Sequence, residues 1–202
     1  MNLQNTQTLT NLMRAFAGES MAWSRYVRAA EIAEQEKLPV IARVFRFTAG
    51  QEKEHGEIFA QFLKQGGVPN VEIEAGFPVN LGGNALSLLA EAMEDERAEH
   101  LRIYPAFAKA AEDEGFPEIA RKFALIAEIE KCHAGRFETF HRLLKEGKLS
   151  ASDEACDWIC LNCGHEFNGK GAPQTCPVCG HEQGFFIRVP QSPYNYANGS
   201  SC

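Results

Sequence analysis

Pro39-Val-Ile-Ala-Arg-Val-Phe-Arg-Phe-Thr-Ala-Gly-Gln-Glu-Lys-Glu-His55 decides the fold, because the chain uses it twice. It recurs 78 residues later as Pro117-Glu-Ile-Ala-Arg-Lys-Phe-Ala-Leu-Ile-Ala-Glu-Ile-Glu-Lys-Cys-His133, with nine of 17 aligned positions identical. Each copy carries an apolar face at helical spacing (Ile41, Phe45 and Ala49; Ile119, Phe123 and Ala127) and ends in Glu-x-x-His. Residues i and i+3 share one face of a helix, so Glu52 with His55, and Glu130 with His133, each aim a carboxylate and an imidazole at one point. A lone pair of this kind is ordinarily a solvated face. Two at matching phase, on helices able to face each other, make half of a di-metal carboxylate site in a four-helix bundle.

Working outward, residues from about 6 to 146 read as four long helices. The first runs from about 6 to 36, and Pro39 opens the second, which ends near Gly66-Gly67. The third runs from about 84 to 114, and Gly115-Phe116-Pro117 stops it and starts the fourth, which runs to about 146. The first-to-second and third-to-fourth joins are short, so each pair is an antiparallel hairpin. The middle join, Gly66 to Gly83, is rich in Gly, Pro and Asn and long enough to return along the whole bundle. One long crossover between two hairpins is the ferritin-like topology. The expected fold is therefore mainly α: a ferritin-like bundle over residues 1–150, a small four-cysteine metal domain over 151–189, and a flexible tail over 190–202.

Inward-facing acids complete the first site. Glu19 comes from the first helix, Glu52 and His55 from the second, Glu96 and Glu99 from the third, and Glu130 and His133 from the fourth. Carboxylates and imidazoles suit iron or manganese. Buried together without metal, these like charges would be costly. Glu54, Glu57, Glu91, Glu94 and Glu128 read as surface charges. The repeat also relates Tyr26 to Tyr104, and both hydroxyls are expected close to the metal-bound oxygen or its carboxylates. Glu19 lies seven residues before Tyr26, whereas Glu96 lies eight before Tyr104. One extra residue in a continuous helix predicts a π-type hydrogen bond within residues 96–104.

The second site is Cys160-Leu-Asn-Cys163-Gly with Cys176-Pro-Val-Cys179-Gly. Four thiolates in two knuckles make a tetrahedral all-sulfur site for Zn or a single Fe. Trp158, Phe167, Phe185 and Phe186 flank it and are expected to form its core. Cys132, Cys156 and Cys202 carry no assigned role, and His100, His141, His165 and His181 read as structural or surface residues.

The formal net charge of −7 disfavours nucleic acid and anionic membrane as partners, and no apolar run is long enough to span a bilayer. The first residues have neither a charged region nor an apolar stretch of the signal-peptide kind, so the expected location is the cytoplasm.

Together, Glu19, Glu52-x-x-His55, Glu96-x-x-Glu99, Glu130-x-x-His133 and the two Cys-x-x-Cys-Gly knuckles resemble the rubrerythrin family over roughly residues 6–189. The resemblance implies a non-haem di-iron site on those seven residues, and a rubredoxin-type iron on Cys160, Cys163, Cys176 and Cys179. It implies a peroxidase that reduces hydrogen peroxide to water, with electrons arriving through the rubredoxin-type iron from an external donor. It further implies that Glu99 and His55 alternate as ligands between oxidised and reduced states, and that the chain forms a homodimer or higher homo-oligomer. Glu99, Tyr26 and Tyr104 are the candidate catalytic residues. A ferroxidase or an oxygen-reducing di-iron protein is the alternative. His165 stands where rubredoxins usually carry tyrosine.

Overall fold

The computed structural model describes residues 2–67 and 69–193. Helix α1 spans Gln7–Gln35, with the Thr6 hydroxyl capping its first turn by accepting from the Leu9 N–H. Helix α2 spans Pro39–Gln65 and starts on its proline, whose fixed φ suits the first helical position. Helix α3 spans Ala85–Ala98 and opens on a capping box, in which Asn84 and Ser87 bond each other's backbone. A five-residue π segment, Glu99–Ile103, joins it without a break to α4, Tyr104–Asp113. Helix α5 spans Pro117–Lys145. The ends of the four helices expected from the sequence hold to within a residue or two, because polar caps or proline start them and Lys37, Gly66-Gly67, Gly115 and Gly147 follow their ends.

The crossover, residues 66–83, has neither helix nor strand among its described residues and is pinned along α1. Arg14 donates to the Glu74 carbonyl at 3.0 Å, Phe77 lies against Gly18, and Arg28 donates to the Leu81 carbonyl at 3.1 Å. The chain thus travels alongside α1 towards its C-terminal end, where the Glu36 carboxylate receives the first N–H of α3 at 3.1 Å. At the opposite end, Glu114 accepts from the Gln7 and Thr8 N–H groups at 2.8 and 2.7 Å. A carboxylate at a helix N-terminus meets unpaired N–H groups and the positive end of the macrodipole. Two acids distant in sequence therefore lock the hairpins together.

Apolar packing inside the bundle falls into two clusters. One gathers Tyr26, Ile41, Phe45, Leu89, Phe137 and Phe140, and the other Leu12, Phe59, Tyr104, Ile119 and Phe123. Between them lie buried Glu19, Glu52, His55, Glu96, Glu130 and His133.

After α5 the chain forms a three-stranded antiparallel sheet, ordered β2-β1-β3, from β1 Ala151–Cys160, β2 Glu166–Gly171 and β3 Phe186–Arg188. Trp158 and Phe186 fill its core with Cys160 and Cys176. Phe167, expected in that core, is instead 39 % exposed and lies across Gly169: it pairs opposite Trp158 on an edge strand, where no further strand covers it. Of the expected tail, Val189–Gln191 form a 3₁₀ turn and Ser192 is buried, while 194–202 lie outside the described residues.

Candidate metal centres

Six of the seven acids and imidazoles proposed for the bundle converge. Ligand atoms of Glu19, Glu52, His55 and Glu130 lie within 4.8 Å of one another, and so do those of Glu52, Glu96, Glu130 and His133. Glu52 and Glu130 belong to both sets, so the two groups are bridged by one carboxylate from each repeat copy. All six residues are at most 5 % exposed. The imidazoles of His55 and His133 stack with centroids 5.7 Å apart, so the pseudo-symmetry of the sequence carries into the site.

The orientation of these groups matters more than their closeness. His133 Nδ1 is 2.8 Å from Glu52 Oε1 and 2.7 Å from Glu130 Oε2. Yet those three atoms, with Glu130 Oε1, Glu19 Oε2 and Glu96 Oε2, are buried without a hydrogen-bond partner. Ligand atoms crowded this closely yet left without hydrogen-bond partners are what a pair of cations would satisfy, and an O-rich set with two imidazoles fits iron.

Electrostatics agrees. Burial, then the Glu52, Glu130 and Glu99 carboxylates, push Glu19 well above the usual carboxylate range. Burial and Glu52 push Glu96 up to about 8. For Glu52, burial opposes ionisation, but contacts to His133 and His55 prevail and hold it at about 2. Burial would lower His55, yet Glu130 and Glu52 raise it to about 9. The metal-free site thus holds protons where cations would otherwise neutralise it.

Glu99 stands apart. It belongs to neither convergent set. It lines a cavity of about 440 Å³ together with Tyr104, Gly18, Phe77, Ile103 and Phe107. Its carboxyl is pushed well up by burial, then by Glu96, Glu130 and Glu52. His55 is engaged while Glu99 is withdrawn. The π segment produces this placement: the Tyr104 N–H bonds to the Glu99 carbonyl, five residues back, as the eight-residue spacing predicted. His100 Nδ1–H donates to the Ala127 carbonyl at 2.8 Å and braces the segment against α5.

Both tyrosines reach the carboxylates, crosswise. Tyr26 on α1 donates to Glu96 on α3 at 2.5 Å, and Tyr104 on α4 donates to Glu19 on α1. Each ring is packed in a different apolar cluster, Tyr26 against Phe137 and Tyr104 against Phe123 and Phe59.

Sequence reasoning missed the groups behind His133. Its Nε2 lies 3.2 Å from Gln51 Oε1, which also accepts from Arg136 at 3.0 Å, and Arg136 donates to Thr48 at 2.8 Å. A carbonyl acceptor on Nε2 fixes the proton there and leaves Nδ1 as the ligand atom. The signal was a break in the repeat: position 51 is Gln where its counterpart is Ile129. Glu91, expected on the surface, is half-buried, with one carboxylate oxygen lacking a hydrogen bond.

In the small domain, Cys160 and Cys179 sulfurs are 3.8 Å apart, and those of Cys163 and Cys176 3.6 Å. Metal–sulfur bonds of about 2.3 Å at a tetrahedral centre need sulfurs roughly 3.8 Å apart. Both knuckles have one backbone pattern. Gly164 (φ 79°) donates to the Cys160 carbonyl and Gly180 (φ 73°) to that of Cys176. Those left-handed turns suit glycine, and they aim the His165 and His181 N–H groups at Cys163 and Cys179.

A family model described as rubrerythrin matches residues 10–140 and 87–155, and one described as the rubrerythrin rubredoxin-like domain matches 158–187. The chain is 42 % identical to rubrerythrin of Clostridium perfringens over 188 residues, covering 92 % of this chain and 95 % of that one. It is 38 % identical to rubrerythrin of Nitratidesulfovibrio vulgaris over 185 residues, covering 92 % and 95 %. Among solved structures, partially reduced nigerythrin shares the fold with a TM-score of 0.62 at 24 % identity, covering 93 % of this chain and 91 % of that one. With a ferritin-like carboxylate–histidine di-iron site and a rubredoxin-like four-cysteine iron site on one polypeptide, the chain belongs to the rubrerythrin family.

Proposed function

We propose that the protein is a peroxide reductase: it reduces hydrogen peroxide to two waters, taking up two protons and two electrons. The observation that carries this reading is Glu99, a carboxylate withdrawn from the convergent set onto the wall of a small cavity while His55 is engaged. When bound, two ferrous ions supply both electrons in one event and act as Lewis acids on the departing oxygen.

The chain's own residues do the rest. The cavity admits a small oxidant past Phe77, Ile103 and Phe107, whose apolar surfaces limit bulk water. Glu99 lines the cavity with its carboxyl pushed well up by burial and by Glu96, so it serves as proton donor. Tyr26 and Tyr104 hold Glu96 and Glu19 in place through their hydroxyls. Gln51 holds the ring of His133. Cys160, Cys163, Cys176 and Cys179 would hold an iron that supplies a one-electron relay from a separate donor protein. The protein works as a homodimer.

No described helix is long and apolar enough to cross a membrane, and we place the protein in the cytoplasm. Cys160→Ser tests the relay. Its pre-reduced bundle should consume one equivalent of peroxide and then stop. Continued turnover would remove the four-cysteine iron from the pathway.

A further inference from the structure

The contact between the two domains holds a feature that lies outside the peroxide chemistry. Arg43, on the second turn of α2, donates through Nη1 to the carbonyl of Leu161, which lies between Cys160 and Cys163 in the first knuckle. Its guanidinium also lies 5.6 Å from the centre of the Phe185 ring. Phe185 is tied to the same knuckle, its carbonyl accepting from the Leu161 N–H at 2.9 Å. One side chain on the bundle thus grips the metal-binding knuckle by backbone and by ring.

The surroundings make that grip consequential. Clefts of about 740 and 550 Å³ flank the contact, and Arg43 lines both, so it bridges the gap between them. The first cleft exposes Cys179 and His181. Beside Arg43, the domains also meet through Ile187, buried in the bundle's core, and through Gly184 against Pro39. Small interfaces between domains permit relative motion unless something fixes them. The repeat supplies an internal comparison: Arg121 occupies the matching position in the second copy and is exposed.

We infer that Arg43 is a positioning residue that fixes the four-cysteine domain on its own bundle and raises the reduction potential of the four-cysteine iron. The reasoning is electrostatic. Reduction adds one electron, hence one negative charge, to a centre already held by four thiolates. A guanidinium bonded to the knuckle carbonyl stabilises that added negative charge. It also orients the Leu161 peptide.

The test uses the iron-loaded full chain and its Arg43→Met, Arg43→Lys and Arg121→Met variants. Two readouts are taken without peroxide: the midpoint potential of the four-cysteine iron by redox titration, and amide exchange at 161–163 and 183–185. Arg43→Met should lower the potential and speed exchange in both segments. Arg43→Lys should keep most of the potential, and Arg121→Met should change neither. A potential in Arg43→Met equal to wild type, or a shift in Arg43→Lys as large as that in Arg43→Met, overturns the electrostatic role. Unchanged exchange in Arg43→Met overturns the docking role. Neither result depends on which oxidant the bundle consumes.

Discussion

Single residues in the site were legible to different degrees, and the reason is geometric. Glu52 with His55 and Glu130 with His133 are local pairs, so helical spacing alone brings them together. Glu19 and Glu96 were found by depth along neighbouring helices. Gln51 and Arg136 were not found, because the bond between Gln51 and His133 joins α2 to α5 and no local spacing reports it. Gln51→Leu should free the Nε2 proton of His133 from its acceptor and weaken metal binding by roughly 10- to 100-fold. A metal titration against a chelator of known affinity measures this, and wild-type affinity would show that the hydrogen bond is incidental. Glu99→Ala should slow peroxide turnover at least tenfold while iron content stays near two per bundle, since Glu99 lies outside the convergent set. Equal losses of iron and activity would make Glu99 a structural ligand instead.

At the level of elements, the π segment was readable because the repeat provides its own ruler: one residue too many between Glu96 and Tyr104 must be absorbed somewhere. Deleting Leu101, exposed at the bulge, should restore α geometry and rotate either Glu96 or Tyr104 off its partner. Loss of the Tyr104–Glu19 or Tyr26–Glu96 bond, with poorer iron loading, is the expected outcome in a crystal structure and metal assay. Full loading would show that the extra residue is dispensable. The capping acids were invisible in the sequence, since Glu114 reaches residues more than a hundred positions away. Glu114→Gln should keep the shape but lose the charge at the start of α1, costing about 0.5–1 kcal/mol in denaturant unfolding. An unchanged midpoint would mean that solvent satisfies those N–H groups equally well.

For the whole molecule, the repeat and the crossover determined the bundle's topology in advance. The seating of the four-cysteine domain did not follow from them, because Arg43 and Ile187 look like ordinary helix and strand residues until the two domains meet. The buried charge layer between two apolar clusters also gives the molecule a pH response. Metal-free Glu96 titrates at about 8 against an ordinary 4.5, so the folded form keeps a proton that the unfolded chain loses, and stability falls as pH rises through that window. His55 at about 9 against 6.5 acts in the same direction: its contribution is full below 6.5 and lost as pH rises through 9. Glu52, held at about 2, contributes above 4.5 and loses that contribution only in stronger acid. Metal-free protein should therefore melt at a lower temperature at pH 9 than at pH 5, and iron should flatten the difference. Greater metal-free stability at pH 9 would contradict the charge layer described here.

The reading as a peroxide reductase is tested most directly by stopped-flow oxidation of anaerobically loaded, fully reduced protein with one equivalent of hydrogen peroxide or of dioxygen. Peroxide should oxidise the bundle much faster than dioxygen, followed by bleaching and recovery of the four-cysteine iron band under excess reductant. Faster oxidation by dioxygen, or iron accumulation in which the four-cysteine iron takes no part, would contradict it.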